Sequence, residues 1–369
     1  GESLEFCASI AKYELLFNSV IVTAVNLPKL VYHEGKYFVS EEYNYNKFNI
    51  HERAELIKVN DLRPQDYIRR NIDRKRSLSW DFENNCFFSE SFLQQNIASD
   101  TVVELTFKEK NKLITFPVKL NIGYLPRKIN AVENGFVWYW AEKQILYIRM
   151  PKMVNGIYYV NEIQRYADKP ICKVLIDIRQ NPGGSDYDWE DVLNAITPLN
   201  LNIKTVYAYT NYFIENDKEL KEYAKMPELS LVYKTVERNI GVVENENINY
   251  SGNIYVLYDN STFSAAGSLV NACYYSEKLI SVGQSTGRIL GFGTDPKNFQ
   301  LPNSKLNYRI APVLDITNAQ DYKDMFHDKP ELNVNLSLEE KLLLKSNPYT
   351  IEYIKTKDPY VNRILQRDQ

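Results

Sequence analysis

Four runs dominated by consecutive apolar residues, Gln144–Met150, Lys173–Ile178, Ile254–Tyr258 and Leu279–Gly283, constrain the fold of this chain more than any other feature. A strand with one wet face alternates apolar and polar residues. These runs do not alternate, which marks strands covered on both faces. Between and after them lie stretches with helical spacing, Tyr158–Ala167, Trp189–Ile196 and Ala265–Ser276. Strands of this kind alternating with helices predict parallel pairing, right-handed crossovers and helices packed over the sheet. A strand at Thr205–Thr210 and a charged helix at Asn216–Lys225 complete the reading of this half.

The first third reads differently. Residues 1–18 place Leu4, Cys7, Ala8, Ala11 and Leu15 on one face of a short helix. Short strands follow at Val20–Val25, Lys36–Val39 and Ala54–Asp61, then a helix start at Leu62–Arg70, and a hairpin of Thr101–Lys108 with Leu113–Leu120. With 369 residues the chain is long enough for two domains. The change of pattern places a β-rich domain at 20–123 and an α/β domain at 124–345, with a helical segment at 1–19 and a C-terminal extension at 346–369.

Composition excludes several classes of function. The 44 basic and 47 acidic residues are interspersed, and the densest basic run, Arg69–Arg76, is broken by Asp73, so no nucleic-acid-binding stripe exists. Three histidines and four widely spaced cysteines offer no metal-type pattern, and no cofactor is expected. Cys172 and Cys273 sit in apolar segments and read as small hydrophobes. No apolar run approaches a membrane span. No leader is evident, and Gly1-Glu2-Ser3 reads as a trimmed start, which leaves the compartment open. The 28 tyrosines suit grooves and half-wet surfaces, where the ring buries area and the hydroxyl keeps a polar partner.

Two segments carry chemistry. In Tyr255-Val-Leu-Tyr-Asp-Asn-Ser-Thr-Phe-Ser264-Ala-Ala-Gly-Ser268 a buried strand ends in a polar turn and small residues open a helix. Ser264 falls at the helix N-terminus, where unpaired N–H groups gather, so it can attack a carbonyl while the N–H of Ala265 faces the developing oxyanion. A serine in this position is also an ordinary helix cap. The second segment, Leu175-Ile-Asp177-Ile-Arg179-Gln-Asn181-Pro-Gly183-Gly184, is a buried strand leading to a glycine turn. Paired glycines permit positive φ and let backbone N–H groups close on an anion.

Together the two segments resemble the C-terminal-processing, or tail-specific, serine peptidase family, which includes the tricorn core and retinoid-binding-protein-like domains. The family shows D-x-R-x-N-x-G-G beside a strand–turn–helix bearing S-A. The resemblance extends to Gly283-Gln-Ser-Thr286-Gly287, similar to a G-x-x-T-G turn, and to Leu301-Pro-Asn-Ser304, similar to L-P-N-S/G. It covers residues 136–340. It implies Ser264 as nucleophile, an oxyanion hole from Ala265 with Gly183 or Gly184, and substrate contacts at Asn181, Thr286 and Gly287. It also implies an α/β catalytic domain of the crotonase-like (ββα spiral) type, joined to a small β-rich PDZ-like domain. For the latter only Leu56–Asp61 matches, and an unrelated β-rich insert is the alternative. The implied substrate is a peptide or unfolded protein, and the implied location is periplasmic, cell-surface or secreted.

The chain departs from the family where the general base should stand. Members with a Ser–Lys dyad carry lysine just after the G-x-x-T turn, but this chain has Arg288, which stays protonated. Members with histidine carry D-x-H-T before the PDZ-like domain, and the counterpart here has Val20. His33 and His51 read as surface residues and Lys278, Lys297 and Lys305 as solvated turn lysines; His327–Val334 resembles the family's closing G-x-x-P-D/E-x-x-V strand, in which Glu331 either orients a base or stays exposed, the second reading being favoured. Three readings follow: a serine peptidase, a peptide-binding pseudopeptidase of the same fold, and a crotonase-type acyl-thioester enzyme. The last would need a coenzyme A surface, for which no basic or glycine-rich feature is present.

Overall fold

The computed structural model describes residues 20–24, 26–70, 78–93, 102–126, 135–210, 231–240, 247–286, 297–300, 302–303, 307–310, 313–315, 317, 328–346 and 349–367. The chain divides into two compact units: residues 1–130 with 298–309 and 336–369, and residues 131–297 with 310–335.

The second unit is built on a six-stranded sheet. Its strands, in spatial and in chain order, are Phe136–Trp140, Ile145–Arg149, Lys173–Asp177, Ile254–Tyr258, Leu279–Gly283 and Leu332–Asn333. The first pair is an antiparallel hairpin, and every later pair is parallel. The strands that read as continuously apolar are those covered on both sides. Leu146, Ile148, Val174, Ile176, Ile254 and Val256 enter one core with Tyr159, Ile163, Trp189, Val192, Leu269 and Val270 from the helices Gly156–Gln164, Asp186–Ile196 and Ala265–Ala272. The alternate residues Ile145, Tyr147, Leu175, Tyr255, Leu257 and Val282 are buried as well. Asp177 faces that second side, among buried polar groups, and so interrupts the apolar run of its strand.

A long antiparallel hairpin, Leu201–Thr210 with Leu231–Ile240, flanks the sheet strands in sequence, and Val313–Asp315 pairs with its first arm. The charged helix expected at Asn216–Lys225 lies outside the described residues. Cys172, expected in an apolar setting, is instead exposed: it precedes the strand Lys173–Asp177 and its thiol meets Gln144 Oε1 at 2.7 Å. Cys273 is buried, and burial pushes its thiol up.

The first unit holds a five-stranded antiparallel sheet in the order Lys112–Lys119, Val102–Glu109, Glu55–Val59, Lys36–Val39, Leu30–His33. The helix Pro64–Arg70 follows the strand Glu55–Val59. Val20–Ala24 pairs with Ile122–Pro126 in a separate ribbon. An aromatic core of Tyr37, Tyr43, Phe92, Phe107 and Phe116 lies within this unit. The expected extension over 346–369 includes two helices, Ile351–Thr356 and Pro359–Arg367, which cluster with this first unit, as does Leu338–Ser346. The helix expected over residues 1–18 lies outside the described residues. Among the described residues, no helix is long and apolar enough to cross a membrane.

Candidate active site

Because the strands ending at Arg149, Asp177, Tyr258 and Gly283 run parallel, the segments that follow them emerge at one edge of the sheet. In open parallel sheets that carboxyl edge is where ligands bind. The described candidate site residues, Asn181, Gly183, Gly184, Ser264, Ala265 and Thr286, lie in these segments.

Ser264 immediately precedes the helix Ala265–Ala272, with φ 59° and ψ −128°. A non-glycine residue in this region carries strain of order 1–3 kcal/mol, which persists only where the surroundings enforce it. The surroundings are visible. Phe263 N donates to Asn181 O at 3.0 Å, and Thr262 Oγ1 donates to Ile178 O at 3.2 Å. Asp259 Oδ1 accepts from Gln180 N and from Ser261 N, each at 2.9 Å. The serine turn is therefore bonded at several points to the glycine turn. The Ser264 hydroxyl makes no capping bond to the helix, so the ordinary explanation for a serine here does not apply.

Gly183 faces Ser264 directly. A methyl group built at Gly183 would lie 2.5 Å from Ser264 Cβ and 3.0 Å from its Oγ. Two bonds of roughly 1.5 Å separate such a methyl from the Gly183 nitrogen, so the hydroxyl is within about 6 Å of that nitrogen. The two glycine N–H groups differ, however. That of Gly183 is committed to Asn181 Oδ1 at 2.8 Å. Gly184, exposed and with φ +150°, makes a parallel bridge to Met153 that uses the flanking peptide groups: Met153 N donates to Gly183 O, and Ser185 N to Met153 O. Among the described residues, the N–H of Gly184 meets no acceptor, nor does that of Ala265 at the start of its helix.

Asn181 and Thr286, expected at the substrate, spend their side chains on the protein instead. Asn181 is fully buried and also donates Nδ2 to Met150 O at 2.8 Å, so both ends of its amide hold the turn. Thr286 is fully buried and gives its backbone N–H and its hydroxyl to Asp328 Oδ1, at 2.8 and 2.7 Å. Gly287, Arg288 and His327 lie outside the described residues. His33 and His51 belong to the first unit, where His51 Nδ1 meets Glu109 Oε1 at 2.8 Å. Glu331 and Lys278 are exposed.

Beneath the glycine turn lies a buried charge cluster. Asp177 Oδ1 accepts from Arg179 N at 3.0 Å and Arg179 Nε at 2.9 Å, while Oδ2 accepts from Arg179 Nη2 at 2.6 Å and from the Tyr147 hydroxyl. Arg149 Nη1 reaches Arg179 O at 2.7 Å and Asp177 Oδ1 at 3.5 Å. Burial pushes the Asp177 carboxyl up, but the two guanidiniums and the hydrogen bonds outweigh it and hold the group below its ordinary value. The D-x-R pair is thus structural: it fixes where the turn leaves the sheet.

Asp328, unremarked in the sequence, is the partner of Thr286. Burial raises its carboxyl, and the donors from Thr286 only partly offset this. Its second oxygen, Oδ2, is buried and has no hydrogen bond among the described residues. A carboxyl whose folded-state pKa is raised favours folding below its unfolded value, and that contribution is lost as pH rises through the folded value. Urea midpoints of the wild type and Asp328→Asn, measured at pH 4 and pH 7, are expected to show the wild type losing stability relative to the variant on going to pH 7. An unchanged difference would rule the assignment out.

A family model described as Peptidase family S41 matches residues 144–323, a span that contains both turns. The segment belongs to peptidase family S41. This is the C-terminal-processing peptidase family that the four motifs resemble. By sequence, no curated protein matches the chain. By structure, the chain is similar to mature CPAF complexed with lactacystin, at 13% identity and a TM-score of 0.60, over 99% of this chain and 88% of the other. It is also similar to mature CPAF alone, at 13% identity and a TM-score of 0.58, over 99% and 87%. At that identity the likeness is one of fold.

Proposed function

We propose that this S41 chain is a serine-type peptidase that hydrolyses peptide bonds through an acyl-enzyme on Ser264. The observation that carries the reading is the strained Ser264 turn, packed directly against Gly183, with its hydroxyl spent on no helix cap. The same strained strand-to-helix placement presents the nucleophile in other serine hydrolases. In this reading Ser264 Oγ attacks the scissile carbonyl carbon and its proton passes to a base and then to the leaving amine. Water next releases the acyl group. The open N–H groups of Ala265 and Gly184 receive the oxyanion, while Gly183 contributes close approach rather than a donor. Each such donor contributes on the order of 10²–10³ in rate. The sheet with its helices is read as a crotonase-like spiral and the N-terminal unit as PDZ-like. The substrate is a peptide or unfolded segment met outside the cytoplasm.

One observation favours a second reading, a peptide-binding pseudopeptidase. Among the described residues no side chain hydrogen-bonds the Ser264 hydroxyl, and the sequence carries Val20 and Arg288 where the family carries its bases. A serine without a proton acceptor is a weak nucleophile. Labelling with a fluorophosphonate probe separates the two. Slow stoichiometric labelling of the wild type, absent from Ser264→Ala, is the expected result. No labelling of the wild type, with retained peptide binding, would transfer the protein to the pseudopeptidase reading.

A further inference from the structure

Large apolar side chains left in water are not spread evenly over the second unit. Val154, Ile157, Tyr158 and Tyr187 are exposed by 48, 61, 38 and 73%. Of the exposed large hydrophobics in this unit among the described residues, only Tyr274 lies elsewhere. The four occupy the segments that follow two adjacent parallel strands, Ile145–Arg149 and Lys173–Asp177, at the edge that carries Ser264.

We infer that these four side chains form the surface that grips an apolar segment of a peptide lying across Ser264; this rests on the reading of Ser264 given above. The two segments are joined to each other and to the glycine turn. Met153 and Gly184 are bridged so closely that a methyl at Gly184 would lie 1.9 Å from Met153 O. Gly156 N then donates to Asp188 Oδ1, which sets the first turn of one helix against the first turn of the other. Val154 and Tyr187 thus follow within a few residues of Gly184, whose neighbour Gly183 touches Ser264. An extended peptide advances about 3.3 Å per residue, so a chain with its carbonyl at Ser264 reaches this surface within a few residues. An exposed apolar patch continuous with a candidate site marks a binding surface.

Charge narrows the occupant. Arg238 pairs with Asp186 and Glu190, but Asp188 and Asp191 on the same helix have no ion-pair partner among the described residues. The preferred segment is therefore apolar with neutral or basic flanks, since acidic flanks meet like charge.

The test uses the full chain carrying Ser264→Ala, so that binding is read without turnover. Fluorescence anisotropy would compare a short labelled Leu/Phe/Ala peptide with lysine at both ends against a Gly/Ser peptide with the same ends. The apolar peptide is expected to bind at least 10-fold more tightly. Ile157→Asp and Tyr187→Ser should each weaken it on the order of 10-fold, within the range one apolar contact supports. Tyr274→Ser should leave it unchanged. Equal affinity for the two peptides, equal loss in Tyr274→Ser, or a face that sedimentation shows to be buried between two copies would each overturn the inference. Ser264 chemistry is absent from this assay, so its outcome is independent of the fluorophosphonate result.

Discussion

Replacing Asp177 with asparagine is expected to destabilise the second unit by about 3–5 kcal/mol at neutral pH, the usual cost of breaking a buried ion pair. The shape of the side chain is kept, so the loss reports charge. Arg149, Asp177 and Arg179 are all fully buried, and the substitution removes the carboxylate that both guanidiniums meet. The effect has a defined pH signature. A carboxyl held below its unfolded value contributes stability above that value and loses it as pH falls through the folded one. The urea midpoints of wild type and Asp177→Asn should therefore be far apart at pH 7 and converge under acid conditions. Equal midpoints at pH 7 would show that the cluster does not hold the sheet and its turn together.

Gly183→Ala is expected to be nearly as damaging, for a reason that has nothing to do with charge. Gly183 has φ +104°, a region that side chains resist, and the added methyl would sit 2.5 Å from Ser264 Cβ and 2.8 Å from Phe263 O. Backbone and a side chain stub cannot swing away, so one of the two turns has to move. Strain of order 1–3 kcal/mol from the conformation, with the overlap in addition, predicts a fall in melting temperature of several degrees. Faster hydrogen exchange should appear at Asn181–Ser185 and at Thr262–Ala266 together. Exchange confined to one of the two segments would mean that the turns are not coupled as described.

The parallel sheet was legible because burial on both faces leaves a run of apolar residues that no half-exposed strand can imitate. The hairpin was half legible. Its second arm, Leu231–Ile240, mixes lysine, arginine and glutamate with valine and leucine and gives no clean period. The last three helices carried signals that the reading of 124–345 as one domain and 346–369 as an extension did not use. Ser337 and Glu340 form a reciprocal capping box, Ser337 N to Glu340 Oε2 at 2.8 Å and Glu340 N to Ser337 Oγ at 3.2 Å. Asp358 caps the helix that starts at Pro359. At the candidate site, the meeting of Ser264 with Gly183 was legible only through the resemblance, because the two lie 81 positions apart, beyond the reach of local rules. The inward roles of Asn181 and Thr286 were not legible at all. A polar residue beside a glycine looks the same whether it faces a ligand or ties down its own backbone. Asp328 was hidden for the same reason, since its partner lies 42 residues earlier.

The bonds between the two turns bear on temperature as much as on geometry. Phe263 N to Asn181 O, Thr262 Oγ1 to Ile178 O and Gln180 N to Asp259 Oδ1 all form when the chain folds, before any peptide arrives. The loss of freedom needed to hold the serine oxygen beside the open N–H groups is then already incurred in the resting protein. On the proposed reading, acyl transfer at such a clasp would meet a barrier that is chiefly enthalpic, and its rate would fall steeply on cooling while the alignment of the attacking atom stays as it was.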